Sequence, residues 1–357
     1  MSSKKAKSSK LVIVGSGLAG YTLAREVRRH DKIFPITVIT ADTGEYYSKP
    51  QLSNALSHQK SPDQLALFSR EKYAQQFNLD IKASCFINSI IEIENIIGSD
   101  YSHLVLATGA NPVNLPELQD AHVVNDLDDY RNFRGVIQGQ KKITIVGAGL
   151  VGCEFANDLI SAGYEVTVIA PENYPLASLI PEQAGLALKA ALAEKGVNWQ
   201  LGRYFQPEDN QGIILSAVGL RPNVALAKSA NLAVNRGILV SEYLETSQEG
   251  IYALGDCAEV FGRVLPYVAP LTLGARALAK TILGERTAVE YPVMPVHIKT
   301  SLYPVVVTPV EKGENRWEIE SDEDGLTALC YTPAGKLVGF CITGRHSSKS
   351  NEFLARI

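Results

Sequence analysis

Gly15-Ser16-Gly17-Leu18-Ala19-Gly20, directly after the apolar run Leu11-Val12-Ile13-Val14, returns later in the chain as Gly147-Ala148-Gly149-Leu150-Val151-Gly152 after Ile143-Thr144-Ile145-Val146. Each run reads as a buried strand, and each glycine turn leads into a helical pattern, over residues 21–28 and 153–161. In this setting the first glycine makes the tight turn, the second lets a pyrophosphate approach the backbone, and the third lets helix and strand pack closely. The helix start offers free N–H groups to the phosphates. One copy is a weak signal. Two copies in the same strand–turn–helix context predict two dinucleotide sites in an α/β protein.

Outward from the first turn, the strand Ile36-Thr37-Val38-Ile39-Thr40 completes a βαβ opening. A helical segment near residues 70–77 and short strands follow, ending in Leu104-Val105-Leu106-Ala107-Thr108-Gly109-Ala110. Asn111-Pro112 and Leu115-Pro116 mark a linker. The pattern then repeats, with a strand over residues 165–170, a helix over residues 182–195 and the strand end Ile213 to Gly219 standing where the first unit has Leu104 to Gly109. This order is that of one Rossmann-like fold inserted into another. It predicts a first dinucleotide domain from residues 11–110 and 224–286, a second from 111–223, and a small α+β C-terminal domain over 287–357, whose sequence alternates like antiparallel strands.

The chain has 357 residues, with 46% hydrophobic and 20% charged, which suits a globular protein of two or three domains. No apolar run reaches the roughly 18 residues that a membrane-spanning helix needs. A net charge of −4 gives no general reason to expect nucleic acid. The first ten residues hold four lysines and four serines without an apolar h-region, so they read as a disordered tail rather than a signal peptide. Five scattered cysteines suit a reduced, cytoplasmic protein rather than one stapled by disulfides. Cys153 and Cys257 follow glycine turns and read as small core residues. No His, Cys or carboxylate spacing suggests a metal site.

Gly255-Asp256 at a strand end, taken with residues 15–20 and Ala107-Thr108-Gly109, completes a set that is similar to the FAD-dependent pyridine-nucleotide oxidoreductases. Within them, nearly the whole chain resembles the rubredoxin reductases. The resemblance rests on residues 15–21, Tyr47-Ser48-Lys49-Pro50, residues 147–159, Ser216 to Pro222, Tyr252 to Val260 and the stretch Met294-Pro295-Val296-His297-Ile298-Lys299-Thr300.

The resemblance implies a reductase that passes electrons from NADH through FAD to rubredoxin, one at a time. Gly15, Ser16, Gly17, Leu18, Ala19 and Gly20 would hold the FAD pyrophosphate, with Thr40, Ala41, Ala107, Thr108 and Gly109 at the neighbouring strand ends, and Gly255 and Asp256 at the ribityl chain. Lys49, beside Pro50, would lie at the isoalloxazine, where its ammonium stabilises negative charge on the reduced ring. Glu154 would stand at the junction of flavin and nicotinamide. Val268 and Lys299 would line the ring, and Ile87 the adenine side; Val268 and Ile87 would serve equally well as core.

For NADH, the resemblance implies Gly147, Gly149, Leu150, Val151 and Gly152 at the phosphates and Val218 and Gly219 at the opposite strand end. A 2′-phosphate needs Arg or Lys after Ile169, whereas Ala170-Pro171-Glu172-Asn173 contains no cation, so NADH is expected over NADPH, with Glu172 slightly late for the usual acidic position. In the first unit, backbone groups or Asp42 would replace the usual acidic residue. No catalytic group beyond the flavin itself is expected, with Lys49 and Glu154 near the ring, and Ser53 stands where peroxide-reducing relatives carry a reactive cysteine.

Two stretches depart from the family: residues 90–103 and 204–212 are short where a three-stranded meander normally occurs. Rival readings are the ferredoxin reductase component of an oxygenase and a nucleotide-bound sensor without turnover. Lys299-Thr300 stands where ferredoxin-linked relatives carry a tryptophan-containing segment, which favours rubredoxin as the acceptor. Alkane hydroxylation (alkane degradation) and oxygen detoxification are both pathways the resemblance allows.

Overall fold

The computed structural model describes residues 9–210, 212–310, 313 and 315–357. The expected disordered tail therefore lies, through residue 8, outside the described residues. The chain forms two compact units. One comprises the chain up to Lys49 with Ala66–Asn111 and Leu220–Tyr291; the other comprises Pro50–Leu65, Pro112–Gly219 and Pro292–Ile357.

The first unit is built on a five-stranded parallel sheet in the order Ile251–Ala253, His103–Leu106, Leu11–Val14, Ile36–Ile39, Asp80–Lys82. Leu11 is in register with both Ile36 and His103, so the glycine turn after Val14 leaves from the middle of the sheet. All four residues of Leu11–Val14 are buried, as a strand covered on both faces requires. The helices Leu18–His30 and Val268–Ile282 pack against each other, and their apolar faces join the sheet in one core with Tyr21, Leu23, Ala275 and Leu278. An aromatic cluster of Tyr21, Tyr46, Phe68, Tyr73 and Phe77 closes one side, and the Tyr21 hydroxyl donates to the Gly44 carbonyl at 2.6 Å.

Between Phe77 and the strand His103–Leu106, where short strands were expected, Asp80–Lys82 is a strand and Ile90–Ile97 is instead a helix. The cause is local. Ser89 Oγ accepts from Glu92 N at 3.3 Å and the Glu92 carboxylate accepts from Asn88 N at 2.7 Å, so the helix start is capped from both directions, while Ile93 is buried beneath it.

The second unit contains two sheets. The first is parallel, in the order Asn198–Leu201, Glu165–Ala170, Lys142–Val146, Ile213–Ser216, and repeats the strand–turn–helix opening with Leu150–Ser161 as its first helix. The second is antiparallel, in the order Val296–Ile298, Val305–Val307, Leu337–Thr343, Gly325–Tyr331, Arg316–Asp322. The helix Glu182–Glu194, close to the range expected, packs on Leu337–Thr343 and Gly325–Tyr331 and so joins the two sheets. In the other shortened stretch, Pro207–Asp209 is the regular element among the described residues, as one turn of 3₁₀ helix.

Candidate active site

The two glycine turns can be tested by asking what a side chain would meet at each glycine. At Gly15, whose φ is +116°, a Cβ would lie 2.2 Å from the Ala107 carbonyl oxygen, and at Gly20 it would lie 2.0 Å from the Gly15 oxygen. At Gly17 it would meet nothing within 4 Å. The second turn repeats this: 2.4 Å from Ala217 O at Gly147, 2.0 Å from Gly147 O at Gly152, and open space at Gly149. The outer glycines are thus required by the fold. The middle ones are required by nothing within the protein, and each caps a helix whose first turn carries no acidic side chain. Open space above free amide groups fits a pyrophosphate at both places.

Around the first turn, Gly15 N donates to Ile39 O at 2.8 Å, which brings the end of Ile36–Ile39 beside it. Ser16 does not leave its hydroxyl free: Oγ lies 2.8 and 2.9 Å from the two Asp42 carboxylate oxygens and 2.9 Å from Thr40 Oγ1. Asp42 also accepts from Thr40 Oγ1 at 2.8 Å and from Gly44 N at 2.9 Å, so the carboxylate suggested for the ribose end is fixed against the glycine turn; Ala41 is exposed next to it. Thr108 Oγ1 donates to Asn223 O at 2.8 Å and Gly109 O accepts from Asn223 N at 2.9 Å, fixing that strand end. Gly255, with φ +83°, brings its backbone so near Ala19 that a Cβ would lie 2.7 Å from Ala19 Cβ. Asp256 follows, its carboxyl held above the usual range by burial and partly brought down by the Lys49 ammonium. Ile87 is half-buried on the core of this unit, whereas Val268, the first residue of Val268–Ile282, is 46% exposed and is not core.

In the second unit Gly147 N donates to Ile169 O at 2.8 Å. Val151 is exposed, Leu150 half-buried, and Val218 packs on a small core of Val146, Ile169 and Ile214 ahead of Gly219 at φ +114°. Glu172 is exposed, and its carbonyl accepts from Gly202 N at 3.0 Å.

Glu154 lies one turn into the helix Leu150–Ser161. It is 2% exposed, with Oε1 accepting from Lys299 N at 3.0 Å and Oε2 accepting from Ser53 Oγ at 2.6 Å and from Lys299 Nζ. A buried carboxylate without partners costs several kcal/mol, and this set of donors offsets that cost. Three and four residues on, the same helix face carries Asn157 and Asp158. Asn157 Oδ1 accepts from Leu302 N at 3.0 Å and Nδ2 donates to Ser301 Oγ at 3.2 Å; Asp158 accepts from Leu56 N at 3.1 Å and Ser57 N at 2.7 Å. The helix after the second glycine turn thereby holds both the 50–65 segment and the loop after Val296–Ile298. Sequence reading missed Asn157 and Asp158 as structural anchors. It also missed Arg203, whose backbone N donates to Ala170 O at 3.2 Å and so carries a cation to the strand end that Ala170–Asn173 leaves without one.

All five cysteines are free thiols; Cys153, Cys257, Cys330 and Cys341 are buried, and Cys85 is half-buried. Among the described residues no group of His, Cys, Asp or Glu is placed to hold a metal ion, and no helix is long and apolar enough to cross a membrane.

A parallel sheet with a phosphate cradle at its centre, present twice, defines a protein of the two-dinucleotide class. The chain belongs to the pyridine nucleotide-disulphide oxidoreductase family, which its residues 9–272 match, and residues 288–357 match the rubredoxin binding C-terminal domain. It is 44% identical to the rubredoxin-NAD(+) reductase of Alcanivorax borkumensis, over 94% of each chain, and 38% identical to the nitric oxide reductase FlRd-NAD(+) reductase of Aliivibrio fischeri, over 93% of this chain and 94% of the other. Among solved structures, a ferredoxin reductase from Rhodopseudomonas palustris superposes with a TM-score of 0.84 at 25% identity, covering 96% of this chain and 93% of that one. The NADH:rubredoxin oxidoreductase of Clostridium acetobutylicum shares the fold, with a TM-score of 0.84 at 24% identity over 98% and 94% of the two chains.

Proposed function

We propose that this chain is an FAD-dependent reductase that takes electrons from NADH and delivers them one at a time to rubredoxin. The observation that carries this reading is the paired cradle: two glycine turns whose middle glycines face open space, each at the head of a central parallel strand. The match of residues 288–357 to a rubredoxin binding domain supports rubredoxin over ferredoxin as the acceptor.

In this reading the domains are 11–110 with 224–286 for FAD, 111–223 for NADH and 287–357 as the C-terminal domain. Backbone amides at Gly17, Leu18 and Ala19 bind the FAD pyrophosphate, with Asp42 and Asp256 accepting from sugar hydroxyls. Those at Gly149, Leu150 and Val151 bind the pyridine nucleotide. The flavin supplies two-electron uptake from NADH and one-electron release to an iron protein. The chain supplies position and charge. Lys49 sets a positive charge near Asp256, while Lys299 is held by Glu154, so that its ammonium is neutralised and fixed rather than mobile. No side chain is called upon to relay electrons through sulfur. Five free thiols suit a cytoplasmic location.

The test is spectroscopic. The purified protein should be yellow, bleach with NADH under anaerobic conditions, and regain its colour quickly on addition of rubredoxin but slowly with a [2Fe–2S] ferredoxin. Faster reoxidation by ferredoxin would move the assignment to an oxygenase reductase. A long-lived NADH complex that passes electrons to neither would make it a sensor, and a protein that cannot be loaded with FAD would end the reading.

A further inference from the structure

Arg203 lies two residues beyond the strand Asn198–Leu201, which runs beside Glu165–Ala170 in the sheet of the second unit. Its backbone is pinned to the end of that neighbouring strand by Arg203 N to Ala170 O at 3.2 Å, and Gly202 N donates to Glu172 O at 3.0 Å. Phe205 anchors the far side of the same loop in the small core with Val146, Ile169 and Ile214. The loop therefore crosses the carboxyl ends of the strands, where a dinucleotide's adenosine end is held and where NADPH differs from NADH by its 2′-phosphate. An arginine here has the planar, five-donor geometry that suits a phosphate.

That arginine is already engaged. Asp209 accepts from both ends of the guanidinium, Nη1 to Oδ2 and Nη2 to Oδ1, each at 2.7 Å; Gln200 Oε1 takes a further bond from Nη2, and Nη1 also donates to Tyr204 O at 3.1 Å. Asp209 is fixed in turn, because Oδ2 also accepts from Gln206 N at 2.7 Å in the capping box of Pro207–Asp209. A 2′-phosphate arriving here would find its fork-shaped donor occupied and a carboxylate beside it.

We propose that Asp209 is a specificity-determining residue, which holds Arg203 in a bidentate pair and thereby makes this chain reject nucleotides bearing a 2′-phosphate. The assignment rests on reading the second glycine turn as the pyridine-nucleotide site. It places the discrimination in the loop that follows Asn198–Leu201, beside the turn that carries Glu172, and in the stretch where the chain is short relative to its family.

The experiment is isothermal titration of the flavin-loaded protein with two fragments that take no part in turnover, adenosine 2′,5′-bisphosphate and ADP-ribose. The forms compared are wild type, Asp209→Asn, Asp209→Ser and Arg203→Ala/Asp209→Asn. Asparagine keeps an oxygen for Gln206 N, so the short helix retains its cap; the serine variant guards against a defect particular to asparagine. Asp209→Asn should tighten adenosine 2′,5′-bisphosphate by about tenfold or more while moving ADP-ribose by less than about threefold, and the double variant should lose the gain. An unchanged affinity for the bisphosphate in both single variants, with melting temperatures near wild type, would overturn the proposal, as would a gain that survives loss of Arg203. Failure of every form to bind ADP-ribose would instead overturn the nucleotide reading of the second turn, and this assignment with it.

Discussion

The Ser53 hydroxyl donates a 2.6 Å hydrogen bond to Glu154 Oε2, across 101 positions of sequence, at a carboxylate that also takes both the backbone N–H and the ammonium of Lys299. The three residues form one closed set, and each member can be removed separately.

Ser53→Ala deletes one hydrogen bond to a buried charge and should lower stability by about 1.5–3 kcal/mol. Lys299→Met leaves the Glu154 carboxylate buried without its counter-charge and should cost about 3–5 kcal/mol. Adding Glu154→Gln to Lys299→Met should recover part of that loss. Urea denaturation of wild type, Lys299→Met, Glu154→Gln and the double variant, read as a double-mutant cycle, checks the coupling; strict additivity would show that the ion pair contributes nothing.

Gly17→Ala and Gly15→Ala should separate binding from folding. A Cβ at position 17 meets nothing within 4 Å, so that protein should fold with a melting temperature near wild type yet retain far less flavin after purification. At position 15 the Cβ would sit 2.2 Å from a backbone oxygen and φ is +116°, so the chain itself should be destabilised. Flavin absorbance per mole of protein and thermal melts distinguish the two.

Asp256 gives a pH signature. Burial raises its carboxyl above the ordinary value of 3.8, so the folded apoprotein binds this proton more tightly than the unfolded chain does. The resulting stabilisation is complete below the ordinary value and is lost as pH climbs through the raised folded value. Asp256→Asn, which cannot ionise, should therefore make the apoprotein more stable than wild type at neutral pH, with the difference closing as pH falls toward 4. Denaturant midpoints of flavin-free protein across that range provide the check, and the same variant should hold FAD less tightly.

Asp158→Ala would orphan the Leu56 and Ser57 amides and should cost about 3 kcal/mol, with faster proteolysis within residues 50–65. Asp158→Asn, which keeps one acceptor oxygen, should lie between it and wild type.

Both glycine turns and the strands leading into them were legible because their requirements are local: a positive φ, a close carbonyl, an apolar run of four. The helix Ile90–Ile97 was legible too, in Ser89 and Glu92 three positions apart, but the stretch was read as short strands, where the family carries a meander. What could not be read were the contacts that depend on the completed fold. Asn157, Asp158 and Lys299 act on partners 101 to 145 positions away, and no spacing along the chain announces them. Pro50–Leu65 belongs to the second compact unit rather than to the unit of its neighbours in sequence, and the aspartate that anchors it there lies in a helix read for its glycine turn and for Glu154 alone. Arg203 was missed for the same reason. No cation follows the strand that ends at Ala170, and the arginine arrives from the strand alongside.

The burial of four of the five thiols bears on how such a protein endures oxidants. Burial pushes the Cys153, Cys257, Cys330 and Cys341 sulfhydryls up, away from the nucleophilic thiolate. Peroxide, nitrosating agents and alkylators act through that anion, so these positions are poor targets for sulfenylation or carbamidomethylation. An electron carrier of this design can keep working through a burst of reactive oxygen that would silence one dependent on a redox-active cysteine pair.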